Sequence, residues 1–97
     1  MSYFLIGAIT VRDVEGYEPY MTGAFASLQS AGGEALAYGS ATAIEGDVPG
    51  ERIVLIRFAD KAACDAWYNS EAYQKVLPVR YANAETPVLI GVEGLAG

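Results

Sequence analysis

Tyr38, Ser40 and Arg57 are the residues of this chain best equipped to hold a small polar group. An arginine brings a permanent charge and a fork of donors that matches a carboxylate, while tyrosine and serine hydroxyls donate or accept a hydrogen bond. Leu36, Ile53 and Leu55 surround them in the sequence pattern. An Arg amid apolar side chains suits a carboxylate or another small anion, with Tyr38 as a donor beside it. The competing reading is an ion pair of Arg57 with Glu34 or Glu93 that merely registers an interface. Further along, Trp67, Tyr68 and Tyr73 fall close together and could wall a site for a flat organic ligand, although their helical spacing also fits plain core packing. Arg80, just after Pro78, reads either as a residue of a cavity rim or as solvated surface charge. Cys64 lies one helical turn before Trp67 and reads as an inert core thiol, since the chain has no His to activate it.

Much other chemistry is set aside by composition. With no His and one Cys, the usual zinc sites cannot be built, and no acidic cluster has the spacing of a magnesium or calcium loop. No cofactor is expected. The net charge of −6 opposes a phosphate backbone, so nucleic acid is not an expected partner. The longest apolar stretch, Tyr3 to Ile9, is far short of the ~20 residues of a membrane span. No signal peptide is read in the first residues, and a lone Cys fits a reducing compartment, so the expected location is cytoplasmic.

The elements that must position these residues follow from periodicity. Residues 3–11 form a strand with apolar residues on both faces, so both faces should be covered. Asp13 caps a helix in which Tyr17, Tyr20, Met21, Ala24, Phe25 and Leu28 recur at three- and four-residue spacings, up to Gly32-Gly33. Residues 34–44 read as a second strand, with small residues at odd positions suited to a closely packed helix. Glu45 to Gly50 reads as a turn, and Glu51 to Phe58 as a third strand. A turn centred between Asp47 and Val48 places Tyr38 opposite Arg57. Asp60 caps a helix carrying Cys64, Trp67 and Tyr68. Ser70 caps another that should stop at Leu77, before Pro78. Thr86 to Glu93 is the last strand, with Pro87 suited to its start or to an edge.

The order βαββαβ is the ferredoxin-like split motif, a four-stranded antiparallel sheet with helices on one face, here expected as a single domain over 1–97. One layer of helices leaves the other sheet face bare, and 53% of the residues are apolar. A second copy of the chain is the simplest cover, giving a homodimeric α/β barrel.

Several segments carry a family resemblance. They are Tyr3-Phe4-Leu5-Ile6-Gly7, Gly32-Gly33, Ile44-Glu45-Gly46-Asp47, Glu51-Arg52-Ile53-Val54 and, most specifically, Trp67-Tyr68-Asn69-Ser70-Glu71-Ala72-Tyr73-Gln74. Together with the spacing between them they cover almost the whole chain, which resembles the DUF1330 domains of the dimeric α/β-barrel superfamily. The resemblance implies the fold and the dimer, and it brings in a superfamily that includes isomerases and cofactor-free monooxygenases. The chain departs from the family pattern at Glu34, where an Arg is usual, at Tyr38-Gly39-Ser40 in place of Arg-Gly-Gly, and at Arg57 in place of a Glu. A Tyr38–Arg57 contact would then replace the family's cross-strand ion pair.

Three functions are compatible with this reading. The first is a small-molecule binder with an apolar cavity, using Tyr38, Ser40, Arg57, Trp67, Tyr68 and Arg80. The second is a cofactor-free enzyme on small organic substrates, relying on Tyr, Arg, Asp or Glu for proton transfer. The third is a structural dimer module whose aromatic residues fill the space.

Overall fold

The computed structural model describes residues 2–95. Its elements are β1 (Tyr3–Val11), α1 (Val14–Ser30), β2 (Glu34–Gly39), β3 (Arg52–Phe58), α2 (Lys61–Tyr68), α3 (Glu71–Asn83) and β4 (Ala84–Glu93). The four strands form one sheet in the order β2-β3-β1-β4, with every neighbouring pair antiparallel. This is the ferredoxin-like architecture expected from the element order, with β1 and β3 in the centre and the helices on one face.

Local chemistry sets the helix boundaries. The Asp13 carboxylate accepts from the Gly16 N–H, Asp60 from Ala63 and Ser70 Oγ from Tyr73, so each helix begins on the side chain expected to cap it. At the end of α1 the Gly33 N–H bonds to the Leu28 carbonyl and the Gly32 N–H to that of Gln29. This Schellman closure needs a left-handed residue, and Gly32 supplies it at φ +78°. Gly16 and Gly23 lie where a Cβ would strike Asn83 and Val76, so α1 runs backbone-close along α3. The Arg12 guanidinium donates to the carbonyls of Tyr81 and Ala82, closing the far end of α3.

Three expectations need correction. The second strand stops at Gly39 rather than continuing to residue 44, and its ladder slips between Ala35 and Ala37. That bulge breaks the odd–even alternation, placing Ala35 opposite Ile56 and Tyr38 opposite Val54, so both fall on the helix side. The register of the whole hairpin also differs from one centred between Asp47 and Val48, so Arg57 faces Glu34, not Tyr38. Finally, α3 does not stop before Pro78 but continues to Asn83. The proline forfeits one backbone bond, while burial of Tyr73, Leu77 and Arg80 along one face holds the helix through it. Pro87 lies on the edge strand β4, beside a slip in its pairing with β1, where its missing N–H is tolerated.

The core lies between sheet and helices. Leu5, Ile9, Ile56 and Phe58 form its floor, and Tyr17, Tyr20, Leu28, Trp67, Tyr73 and Leu77 descend from the helices. On the opposite face Phe4, Ile6, Ile53, Leu55, Ile90 and Val92 form an apolar surface with no helix over it. Ile90 remains 55% exposed and Val92 48% exposed there.

Candidate functional site

The α1 backbone is held against α3 and reaches the sheet through long side chains, leaving a space beneath it. This cavity measures about 270 Å³ and is almost wholly apolar. Its floor includes Leu5, Ile9, Val54, Ile56 and Leu89; its roof includes Met21, Ala24 and Phe25. Phe25 and Tyr38, both exposed, lie where the cavity meets solvent beside β2. Tyr38 is fixed there by Arg52, whose Nη1 donates to its hydroxyl at 2.9 Å, with the guanidinium carbon 5.8 Å from the ring centroid.

The inner end is different. Arg80, only 4% exposed, lines the cavity together with Tyr17, Tyr20 and Tyr73. Its Nη1 donates to the Tyr73 hydroxyl at 2.9 Å, and the Tyr73 and Tyr20 hydroxyls share a bond of 2.7 Å. Among the described residues the ion pairs are Arg52–Glu51, Arg57–Glu34 and Lys61–Asp65, so no carboxylate neutralises Arg80. Its Nε and the Tyr17 hydroxyl are buried without a hydrogen-bond partner. Burial holds the Tyr73 phenol far above its ordinary range, with Tyr20 adding to the effect; burial does the same for Tyr17. Both phenols are therefore neutral donors at any physiological pH.

Trp67 stacks between the sheet and this polar group, with its ring centroid 4.2 Å from that of Tyr73 and 5.6 Å from that of Phe58. Its indole N–H is satisfied by Ser27 Oγ at 3.0 Å. Of the residues singled out from the sequence, Tyr38, Trp67, Tyr73 and Arg80 line the cavity. Ser40, Arg57 and Tyr68 do not. Ser40 follows β2 in an exposed loop, and Tyr68 packs behind Tyr73. Arg57 lies on the open face, paired with Glu34 at 2.7 Å. The Tyr–Arg contact expected across the hairpin does exist, but its arginine is Arg52.

Tyr17 and Tyr20 were legible only as helix-face residues, and Tyr73 as an aromatic wall, without the hydroxyl contacts among them being recognisable. One sequence signal was available: Tyr73, Leu77 and Arg80 share a helical face, which places Arg80 with buried neighbours rather than in solvent. Cys64 is buried, and its thiol is held above its usual range by burial and by Asp65. No group of three or more potential metal ligands occurs among the described residues. No helix among them is long and apolar enough to cross a membrane.

Solved structures of similar shape are distant in sequence. A protein of unknown function from Rhodopseudomonas palustris superposes with a TM-score of 0.80 at 14% identity, over 99% of this chain and 84% of that one. SnoaB, a cofactor-independent oxygenase from Streptomyces nogalater, gives 0.72 at 9% identity, over 99% and 95% of the two chains. A dimeric ferredoxin-like protein of unknown function from Jannaschia sp. CCS1 gives 0.65 at 18% identity, over 97% and 100%. At these identities the likeness is one of fold. No curated protein matches the chain. The family described as "Domain of unknown function (DUF1330)" matches residues 2–95, and the chain belongs to that family.

Proposed function

We propose that this protein is a homodimer in which each subunit binds a small, largely apolar organic anion in the cavity beneath α1. The observation that carries the ligand reading is Arg80: a buried guanidinium on the wall of an apolar cavity, with no carboxylate of the described residues paired to it. Burying such a charge is costly unless something of opposite charge meets it. An anionic ligand meets it, and its apolar body fills the remainder of the space. Tyr38 and Phe25 would then border the entrance, and Trp67 would flank the bound molecule.

The dimer reading rests on the open sheet face, where Phe4, Ile6, Ile53, Leu55, Ile90 and Val92 present one apolar surface. A face of this kind is normally covered. The fold likeness to the dimeric protein from Jannaschia supports a second copy as the cover.

A second reading, a cofactor-free enzyme, is favoured by one comparison: the likeness of fold to the cofactor-independent oxygenase SnoaB. No carboxylate lines the cavity, and the buried phenols are held protonated, so the site has no evident general base. That weighs towards binding. A purely structural module would be expected to have this space filled, and a volume of 270 Å³ argues against it.

Native mass spectrometry of the protein, with and without added naphthoate, tests both parts of the proposal. The expected species is two chains that take up two naphthoate molecules. A monomer would remove the dimer reading, and a dimer that never takes up an organic anion would remove the binding reading. Oxygen consumption with the bound compound would raise the enzyme reading above it.

A further inference from the structure

Tyr38 and Arg52 give the cavity a second polar point, at its entrance. Arg52 lies on the same face of β3 as Val54 and Ile56, which line the cavity, and opposite Ile9 of its floor. From there its Nη1 donates to Tyr38 Oη at 2.9 Å, holding the two side chains together at the rim. Both reach solvent: the Arg52 side chain is 32% exposed and Tyr38 is 39% exposed.

Neither residue has used all its donors. Tyr38 Oη is the acceptor in their bond, and among the described residues nothing accepts its own proton. Arg52 is also the least committed of the paired cations. Arg57 and Lys61 hold their carboxylates at 2.7 and 2.8 Å, whereas Glu51 Oε1 stands 3.7 Å from Arg52 Nε, too far for a hydrogen bond. The Arg52 Nη2 donates to no side chain or carbonyl among the described residues. The rim therefore carries two adjacent, accessible donors, a phenolic O–H and a guanidinium N–H.

We propose that the ligand is an elongated apolar molecule with an oxyanion at each end, and that Tyr38 and Arg52 receive the outer one. The inference rests on the reading just given, in which Arg80 meets the inner one. A carboxylate suits the rim, because one of its oxygens can take the Tyr38 O–H and the other the Arg52 Nη2. The rest of the molecule argues against such a ligand. The chain carries a net charge of −6, so a second negative charge weakens binding unless a cation meets it. A preference for a diacid over a monoacid is therefore a specific sign of this subsite.

The test is calorimetric titration at low ionic strength with naphthoate, with naphthalene-2,6-dicarboxylate, and with that diacid lengthened by one methylene at one acid. The better of the two diacids is expected to bind ~tenfold more tightly than naphthoate. In Arg52→Met the preference should disappear, and in Tyr38→Phe, which keeps the ring in the wall, it should shrink several-fold. The readout is the ratio of affinities within one protein. A general disturbance of the cavity weakens diacid and monoacid alike; a ratio unchanged in both variants would overturn the proposal. So would a wild type that binds naphthoate at least as tightly as either diacid, with the cavity still standing as a binding site. If none of the three compounds binds, the proposal falls together with the reading beneath it.

Discussion

Arg80 holds the Tyr73 hydroxyl at 2.9 Å from one face of α3, and among the described residues no acid pairs with Arg80. In most folded proteins a buried arginine is paired, so the site reverses the usual cost of truncating one. Arg80→Met should raise the unfolding free energy, by about 1–4 kcal/mol, since an apolar side chain of similar length replaces an uncompensated charge. Anionic ligand binding should disappear in the same variant. Denaturant unfolding and a naphthoate titration check the two halves. Arg57→Met, which breaks only an exposed pair with Glu34, should change stability by less than about 1 kcal/mol and leave binding intact.

The two buried phenols make the fold sensitive to alkali. Their folded-state pKa values lie well above the ordinary value of about 10, so the unfolded chain gives up these protons first. Below pH ~10 both states hold the protons and stability does not respond to them. Above it the unfolded chain binds fewer protons than the folded one, and stability falls with a slope approaching ~2.7 kcal/mol per pH unit for the pair. Phenolate absorbance should show some of the seven tyrosines titrating only as the protein unfolds. Titration of all seven in one simple step, with the fold intact, would contradict the burial of Tyr17 and Tyr73.

Ser27 supports the aromatic wall from α1. Its hydroxyl donates to the Ala24 carbonyl at 2.8 Å and accepts the Trp67 indole N–H at 3.0 Å, and the residue is only 6% exposed. Ser27→Ala leaves that indole donor orphaned and should cost about 1–3 kcal/mol in a thermal or chemical melt. Trp67 is the only tryptophan, so its fluorescence reports directly on this wall and on any ligand beside it.

Ile90 pairs with Ile6 on the open face of the sheet and is 55% exposed. Placing a carboxylate there with Ile90→Asp should weaken self-association by ~2 orders of magnitude or more, because an interface would have to bury the charge. Sedimentation velocity across a concentration series measures the shift. An unchanged dimer would place the interface elsewhere on the molecule.

What could be read from the sequence was mostly what depends on near neighbours. Asp13, Asp60 and Ser70 cap the helices because each bonds to an N–H three residues away, and the strand order follows from two apolar faces alternating with helical spacing. The partner of Tyr38 could not be read, because no tight turn joins β2 to β3: the connection over residues 40–51 sets a register that puts Val54 opposite Tyr38, three residues short of Arg57, and brings Arg52 beside it. Nor could the rank of the arginines. Arg57 and Arg80 both stand among apolar residues in the sequence, and what separates them is which one finds a carboxylate, a contact decided across the fold. Pro78 misled for the same reason: local chemistry argues for a stop, and burial of the residues on either side carries the helix on.

The glycines that seat α1 on α3 bear on how such a protein can diversify. Because Gly16 and Gly23 fix the helix to its neighbour, the side chains that roof the cavity are relieved of fastening α1 to the sheet. Met21, Ala24 and Phe25 can then change size with little consequence for the scaffold, enlarging, narrowing or closing the chamber while the polar end around Arg80 stays in place. One anion-receiving end could in this way serve ligand bodies of many shapes, by changes on a single helix.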